Sequence, residues 1–292
     1  MTVSMVRPSR RAFLLAALGA WCVGCRPRER AAAEGRATRI VSVSPSMTET
    51  VFAIGAGDLV VGRTTFCDYP EEAKKLPTIG GFIDSSVEAI LALEPTLVVG
   101  ERRPGGRDLD QSLRDRGIDT FFPPMYGLEE IRAMIIALAA KLSREARAAE
   151  VLRALDSTLD AVRARVAGRA RPKALLLFDF RPLIAAGPSA FPDELLGIAG
   201  ATNAVTTGGE YPELSPEGVL ALDPDVVIDG SAGAYPEPPE VLLAAAPGLA
   251  SLRALTNKRV HRLPTNAALR PGPRIADGVA EIAAILHPEA AR

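Results

Sequence analysis

The sequence contains few of the residues that form disulfides and transition-metal sites. It has three cysteines and two histidines among 292 residues. Cys22 and Cys25 lie near the start, so the rest of the chain keeps Cys67 alone and can form no internal disulfide. A lone cysteine is most often a small buried apolar side chain, and we expect that of Cys67. Two histidines are too few for a His-rich zinc or manganese site, so we expect no metal centre and place His261 and His287 at the surface.

The signatures of several function classes are also missing. The net charge is −1, and lysine and arginine are scattered rather than gathered into the basic face that nucleic-acid binding requires. No Walker A motif is present, and the stretch Gly187-Pro-Ser189-Ala-Phe191 lacks the last glycine of a nucleophile elbow. These absences predict a protein that binds no nucleic acid and is not an enzyme.

The first 24 residues have the layout of an export signal. Arg10 and Arg11 form a pair similar to a twin-arginine signal, and the apolar run over 12–24 is shorter than the roughly 20 residues that span a bilayer. The run leads into Cys25, and this segment resembles a lipobox in which Cys25 is lipidated, with Cys22 where a leucine is usual. The alternative is an ordinary secretory signal with an incidental cysteine. Both alternatives predict export to the periplasm or the outer cell surface, and the first adds a lipid anchor.

Beyond residue 38, short apolar runs alternate with helical patterns, as in α/β layers. The Ser44-Pro45-Ser46 turn predicts the start of the first helix, and Pro95 predicts the end of a later one over 86–93. The predicted strands of the first half cover residues 40–43, 60–62, 97–99 and 118–122.

An internal repeat divides this α/β body in two. Residues 86–99 read Ser-Val-Glu-Ala-Ile-Leu-Ala-Leu-Glu-Pro-Thr-Leu-Val-Val, and residues 215–228 read Ser-Pro-Glu-Gly-Val-Leu-Ala-Leu-Asp-Pro-Asp-Val-Val-Ile. A weaker echo precedes each copy, at residues 48–57 and 193–200, where a helical pattern ends in glycines. The repeats predict two lobes of like construction.

One long helical pattern lies between the two lobes. Apolar residues keep helical spacing from Ala149 to Val166, with Ser143 as the predicted N-cap and Gly168 as the predicted C-cap. Such a connector is stiff, so we expect little hinge closure between the lobes. The predicted organisation is a signal over 1–24, a flexible tether over 25–38, an N-terminal lobe over 39–142, a linking helix over 143–168 and a C-terminal lobe over 169–292.

Three motifs carry a family resemblance. The segment Arg39-Ile-Val-Ser-Val-Ser-Pro-Ser-Met-Thr-Glu49, the segment Phe66-Cys-Asp-Tyr-Pro70 and the two Leu-Ala-Leu-acid-Pro repeats resemble the periplasmic cobalamin-binding proteins of ABC importers. More broadly, they resemble the class of binding proteins with one linking helix that serves cobalamin, haem and ferric siderophores. The resemblance implies an α/β fold of two Rossmann-like lobes joined by one long α-helix, with the ligand cleft between the lobes.

The resemblance also implies the ligand-binding positions. They lie in the first strand-to-helix turn, in aromatic-bearing loops of both lobes and in a loop near the C-terminus. In this sequence they are occupied by Pro45, Phe66, Phe82, Tyr211, Asn266 and Arg270. The sequence departs from the family at Asn266, where the family has an acid, and at Glu101, where it has a tryptophan. For Arg274, in the same loop as Arg270, we expect a surface or structural role.

Aromatic and apolar walls with a few polar groups at the rim suit a broad, flat macrocycle. Together with this chemistry, the resemblance implies cobalamin or a related corrinoid as the ligand, and we expect no resident cofactor. Two alternatives stay open. Haem would take Tyr211 or Tyr69 as axial ligand, and a ferric siderophore would use basic groups such as Arg270, Arg102 and Arg181.

Glu88 and Glu217 occupy matching places in the two repeats. In the family, one glutamate on each lobe pairs with arginines of the permease, which implies that these two dock the loaded protein onto a permease dimer with its ATPase subunits. The alternative role is local, because a glutamate in a first helical turn favours the helix dipole, and Ser85 with Glu88 fits a capping box. We expect the protein to act as a monomer.

Overall fold

A computed structural model describes residues 38–81, 85–102 and 107–291 of the chain. The predicted signal, Cys25, the tether before Thr38 and the candidate ligand residue Phe82 therefore lie outside the described residues. Among the helices that are described, none is both long enough and apolar enough to cross a membrane.

The first half of the chain builds a parallel sheet flanked by helices. Its elements in chain order are β1 (Ile40–Ser42), α1 (Pro45–Ala53), β2 (Val60–Arg63), α2 (Val87–Ala92), β3 (Leu97–Val99), α3 (Arg107–Asp115), β4 (Asp119–Phe121) and α4 (Leu128–Leu142). The strand order is β2-β1-β3-β4, and every neighbouring pair is parallel. The strands predicted from the apolar runs are all present, with bounds that differ by at most one residue.

One long helix, α5 (Glu145–Val166), follows α4 and leads into the second half. The prediction that Ser143 is its N-cap is wrong, because Ser143 ends α4 with a left-handed φ of +55° and Arg144 takes the N-cap position of α5. A left-handed residue is a common way to end a helix, and here it separates two helices that the sequence pattern does not divide at that point. Gly168 follows the C-cap of α5 with φ of +72°, close to its predicted role. The lobe limits themselves stay a prediction.

The second half builds a mixed sheet. Its elements in chain order are β5 (Lys173–Phe180), β6 (Leu183–Ala185), α6 (Phe191–Ile198), β7 (Thr202–Asn203), β8 (Glu213–Leu214), α7 (Pro216–Leu222), β9 (Val226–Asp229), α8 (Pro239–Ala245), α9 (Arg253–Thr256), β10 (Val260–Arg262) and α10 (Ile275–Leu286). The strand order is β10-β9-β5-β6-β8, with β7 beside the start of β5. Strands β10, β9, β5 and β7 pair in parallel, whereas β6 and β8 are antiparallel additions.

A continuous apolar core passes from one half to the other along α5. Ile40 of β1 and Leu176 of β5 belong to the same cluster as α5, while their neighbours Val41 and Leu175 point to the opposite sheet faces and belong to separate clusters. Both sheets are thus buried on both faces, as strands of parallel sheets usually are. The side chains that α5 buries, at helical spacing, are Ala148, Leu155, Leu159 and Val162. Because a wide opening of the two halves would expose this shared core, the packing favours the predicted small hinge motion.

The repeat builds the same local unit twice. Ser86 caps α2 and Ser215 caps α7, each accepting a hydrogen bond at 3.1 Å from the backbone N–H three residues later. The predicted capping box of Ser85 with Glu88 is wrong, because Ser86 is the N-cap and the Ser85 hydroxyl donates to the carbonyl oxygen of Gly81 at 2.7 Å.

The cysteine and histidine predictions have different outcomes. Cys67 is fully buried, as expected, with its Sγ 3.1 Å from Thr64 Oγ1. The surface position expected for His287 is wrong, because this residue follows α10 and its side chain is buried against Gly200. His261 is half-buried, and burial lowers the pKa of its imidazole. Within the described ranges, no group of three or more His, Cys, Asp or Glu side chains could hold a metal ion.

Candidate ligand-binding site

The turn after β1 positions the first site residue. Ser44 caps α1 by accepting from the Met47 N–H at 3.2 Å, and Thr48 Oγ1 lies 2.8 Å from Ser42 Oγ. Pro45 opens α1, where its fixed φ suits a helix start and its missing N–H has no partner to lose. The hydroxyl residues of this motif therefore hold the turn, and the turn presents Pro45 at the carboxyl edge of the first sheet, where α/β folds place their ligands.

Glu49, one turn further along α1, is a buried carboxylate that contacts the second half of the chain. It is 2% exposed. Arg274 donates from Nε to Oε2 at 2.8 Å and from Nη2 to Oε1 at 2.7 Å, and Arg270 donates from Nη1 to Oε1 at 2.8 Å. A buried carboxylate is stable only when its charge is paired and its oxygens are hydrogen-bonded. Both conditions are met by two guanidinium groups from one loop.

Arg270, a predicted ligand residue, is held by the first half of the chain at three points. Besides its bond to Glu49, it donates to Asp68 Oδ1 at 2.6 Å and to the carbonyl oxygen of Phe66 at 3.3 Å. Burial alone would lower the pKa of Arg270, but its hydrogen bonds to Asp68 and Glu49 raise it. Burial alone would raise the pKa of Asp68, but the Arg270 guanidinium holds it below its ordinary 3.8. The side chain of Arg270 is 12% exposed, so only a small part of it is accessible.

Two aromatic rings stand exposed beside this ion-pair cluster. Phe66 is 59% exposed and Tyr69 is 46% exposed. The guanidinium carbon of Arg274 lies 3.8 Å from the centroid of the Tyr69 ring, a cation–π contact that fixes the ring. Exposed aromatic rings grouped beside polar anchors are typical of a binding surface.

Tyr211 supplies an aromatic ring from the second half. It lies in the loop between β7 and β8 and meets Phe178 edge to face, with ring centroids 5.3 Å apart. Burial and the nearby carboxylates of Glu210 and Glu101 raise the pKa of Tyr211 to about 12. The contribution of Glu101, which follows β3, places Tyr211 within electrostatic reach of the first half. The phenol of Tyr211 is therefore protonated at neutral pH.

The loop that carries Tyr211 is hydrogen-bonded to the segment after β6 that contains Gly187. The Gly187 N–H donates to the carbonyl oxygen of Glu210 at 2.8 Å, and a Cβ at Gly187 would come within 2.0 Å of the carbonyl oxygen of Gly209. Only glycine allows this approach. The segment that fails as a nucleophile elbow therefore has a structural use, which is to hold the aromatic loop.

The other predicted ligand residue, Asn266, has different surroundings. It is half-buried and begins a short 3-10 turn over Ala267–Leu269. It lines a cavity of about 200 Å³ together with Asp229 and Arg262, which form an ion pair at 2.6 Å. The structure thus joins Phe66 and Arg270 directly, places Pro45 on the helix of Glu49 and brings Tyr211 near Glu101, while Asn266 lines its own cavity.

The two predicted docking residues occupy equivalent exposed places. Glu88 lies in the first turn of α2 and Glu217 in the first turn of α7. Ser86 Oγ donates to a Glu88 carboxylate oxygen at 3.2 Å. Both carboxylates are accessible, so each could meet a partner.

Sequence reasoning assigned no role to Glu49, Asp68 or Tyr126. Tyr126 is exposed in the loop between β4 and α4. A signal for Glu49 does exist, because it is a charged residue between buried neighbours of a short helix. Its partner Arg270 could not be predicted from the sequence, because the two residues are 221 positions apart along the chain.

Comparison with known proteins places this geometry in a family. The family described as periplasmic binding protein matches residues 40–267. The chain belongs to this family. It is 26% identical over 261 residues to the uncharacterized ABC transporter substrate-binding lipoprotein YvrC of Bacillus subtilis, with 86% of this chain and 80% of that protein covered. It is 30% identical over 199 residues to the vitamin B12-binding protein of Salmonella typhimurium, with 68% of this chain and 74% of that protein covered.

A solved structure agrees with the fold. The periplasmic heme-binding protein RhuT from Roseiflexus sp. RS-1 superposes with a TM-score of 0.77 and 29% identity, covering 87% of this chain and 100% of that chain. The predicted resemblance, the two-lobed α/β fold class and the prediction that the chain is not an enzyme are thereby confirmed. An exported location fits membership of a family of periplasmic proteins.

Proposed function

We propose that this periplasmic binding protein is the substrate-binding component of an ABC importer and that its ligand is cobalamin or a related corrinoid. The name of the Bacillus subtilis relative supports the importer, and that of the Salmonella typhimurium relative supports the ligand. Such a component delivers its small-molecule ligand to a permease with ATPase subunits. The observation that carries the corrinoid is the balance of charge among the candidate site residues.

The two arginines of the loop over 270–274 have their charges neutralised by carboxylates of the first half. Arg270 and Arg274 bear two positive charges, and Glu49 and Asp68 bear two negative charges that pair with them. Tyr211 of the second half is under the electrostatic influence of two carboxylates, Glu210 of its own loop and Glu101 of the first half. A corrinoid has uncharged amides along most of its edge, whereas haem carries two propionates, which unpaired cations would stabilise. The balance therefore favours an amide-edged macrocycle stacked on the exposed rings.

The protonation state of Tyr211 points the same way. A tyrosine binds haem iron as its phenolate, and the raised pKa of Tyr211 increases the free-energy cost of forming that phenolate. Tyr211 is better suited to stacking against a ring and to donating a hydrogen bond from its hydroxyl.

The test is a titration of the purified protein with cyanocobalamin, cobinamide, haemin and a ferric siderophore, followed by ligand absorbance. We expect both corrinoids to bind more tightly than haemin. Phe66→Ala should weaken corrinoid binding about tenfold, since an aromatic contact and its burial are worth about 1–2 kcal/mol. Ile136→Ala is the matched control, because Ile136 on α4 is 55% exposed and Phe66 is 59% exposed. Absence of corrinoid binding at micromolar concentrations would refute the proposed ligand.

Haem is the second candidate, favoured by the RhuT structure and by Tyr69, whose ring is exposed and held by Arg274. If haem is the ligand, haemin will bind with a tyrosinate-type spectrum, and Tyr69→Phe will abolish that spectrum. Tyr211→Phe is the control, because it removes the other candidate phenol and should leave the spectrum unchanged.

We further propose that Glu88 and Glu217 dock the loaded protein onto a permease dimer. Their matching places in the two repeats and their exposure support a pair of contacts with a two-fold symmetric partner. In reconstituted importer, Glu88→Arg combined with Glu217→Arg should abolish transport while ligand affinity is unchanged. Glu240→Arg is a control, since Glu240 is also exposed in the first turn of a helix, α8. Normal transport by the double variant would contradict docking.

The membrane anchor through Cys25 is a separate proposal. It is supported by the lipobox-like segment and by the lipoprotein name of the Bacillus subtilis relative. Mass spectrometry of the mature protein should find a diacylglycerol on Cys25, and Cys25→Ser should release the protein from membranes. Cleavage elsewhere without a lipid would favour the ordinary secretory signal.

A further inference from the structure

Glu49 carries the most deeply buried charge of the site, and it is too buried to make substantial contact with a ligand. Glu49 is 2% exposed, whereas the side chains of its partners Arg270 and Arg274 are 12% and 18% exposed. Any influence of Glu49 on the ligand must therefore pass through the two arginines.

The geometry shows how that influence is transmitted. Arg274 uses both Nε and Nη2 on Glu49, which fixes its guanidinium plane, and the same guanidinium lies 3.8 Å from the Tyr69 ring centroid. Arg270 is oriented by Glu49 and Asp68 together. One carboxylate thus sets the position of two cations and, through Arg274, of an exposed ring.

The same carboxylate decides the net charge of the site. The cluster of Glu49, Asp68, Arg270 and Arg274 is neutral as it stands. Without the charge of Glu49 it would carry one net positive charge next to Phe66 and Tyr69. The partly buried arginines are screened less by water than surface arginines are, so the excess charge would act on a ligand held there.

We propose that Glu49 is a positioning residue that sets the charge selectivity of the site, favouring macrocycles with an uncharged edge over those edged with carboxylates. This inference rests on the proposed function for the class of ligand. It adds that the charge selectivity comes from Glu49, which lies behind the arginines rather than on the surface that contacts the ligand.

A matched pair of ligands isolates the effect. Dicyanocobinamide and dicyanocobyrinic acid share one macrocycle, but the first is edged with amides and the second with carboxylates. The wild-type protein should prefer the amide-edged ligand. Glu49→Gln keeps the size of the side chain and removes its charge, so we expect the preference to fall about tenfold, which corresponds to about 1.4 kcal/mol. An unchanged ratio in folded Glu49→Gln would overturn the inference.

Glu194→Gln is the matched control. Glu194 lies on α6 at the place in the echo that Glu49 has on α1, and it also reaches the other half, but its partner is the backbone N–H of Leu128 at 3.0 Å. Its substitution should change the ratio less than twofold. Glu49→Asp keeps the negative charge, so its preference for the amide-edged ligand should be close to that of the wild-type protein. If the Glu49→Gln effect came only from a disturbed structure, Glu49→Asp would lower the preference as well.

Two further measurements keep the test decisive. If Glu49→Gln does not fold, Arg274→Gln removes a cation instead and should raise the preference for the amide-edged ligand; a fall in preference would overturn the inference. If the wild-type protein binds neither corrinoid, the proposed ligand is wrong. The role of Glu49 is then measured with haemin, which Glu49→Gln should bind about tenfold more tightly, and unchanged haemin affinity would refute it.

Discussion

Glu49 and Glu194 occupy the same position in the two echo segments, and each reaches across to the other half of the chain. Glu49 is buried and accepts three hydrogen bonds from two arginines. Glu194 is exposed and accepts one from the first residue of α4. The same helical unit therefore makes a buried ion-pair cluster on one side of the junction and a helix cap on the other. The contrast shows that the repeat supplies equivalent positions, while the partner loops decide what each position does.

The larger repeat teaches the same lesson. Ser86 and Ser215 cap equivalent helices at the same distance, and the acids that end those helices, Glu94 and Asp223, both have positive φ, of +47° and +41°. The candidate ligand residues Phe66, Tyr211 and Arg270 come from loops that the repeat does not share. The repeated helices and strands therefore form the common framework of the two halves, and loops that differ between the halves form the candidate ligand site.

The largest expected effect separates the two glutamates. Glu49→Ala removes the buried carboxylate that pairs with both Arg270 and Arg274, so we expect the free energy of unfolding to fall by about 3–5 kcal/mol. Glu194→Ala should cost about 1 kcal/mol at most, because an exposed helix cap is worth no more. Urea denaturation measures both. Equal losses would show that the two junction contacts are equivalent after all.

A glycine substitution tests the loop that carries Tyr211, which is one of the loops that the repeat does not share. Gly187→Ala would force a Cβ to within 2.0 Å of the carbonyl oxygen of Gly209, so we expect a loss of about 1–3 kcal/mol and weaker ligand binding through displacement of Tyr211. Gly197→Ala is the control, because its Cβ would meet nothing within 4 Å and a helix interior favours alanine by up to about 1 kcal/mol. Wild-type stability and affinity in Gly187→Ala would argue against a fastened loop.

The repeated caps should behave alike. Ser86→Ala and Ser215→Ala each remove one cap hydrogen bond, and we expect each to lower the free energy of unfolding by about 1 kcal/mol. Thermal unfolding of both variants checks this. A clear difference between them would show that the two repeats do not contribute equally to the frame.

The smallest effect is a dependence on acid pH. Asp68 has its pKa lowered in the folded state, so its contribution to stability is present above the ordinary value of 3.8 and is lost as pH falls through the lower folded value. Its side chain is about half exposed, so we expect less than about 1 kcal/mol. Comparing acid unfolding of Asp68→Asn with wild type measures this term. Identical curves would mean that the ion pair of Asp68 with Arg270 adds nothing to stability.

Much of the frame could be predicted because it follows from local patterns. Strand and helix positions in the first half were set by apolar runs, by Pro45 and Pro95 and by the repeat. The error at Ser143 arose because a serine is a good helix cap, whereas the sharp turn between α4 and α5 uses it in a left-handed conformation. Local preference could not distinguish these two uses.

The sequence by itself determined the two-fold α/β plan, the long helix, the aromatic loops and the family, because period, turn residues and repeats act over short stretches of chain. Only the tertiary structure decided that Arg270 and Arg274 are paired with Glu49 and Asp68, and that Tyr211 comes under the influence of Glu101. These contacts join residues from opposite halves of the chain, so no local sequence pattern specifies them. The net charge that a ligand meets depends on those pairings. The class of binding protein could therefore be predicted from the sequence, whereas the charge of its site could not.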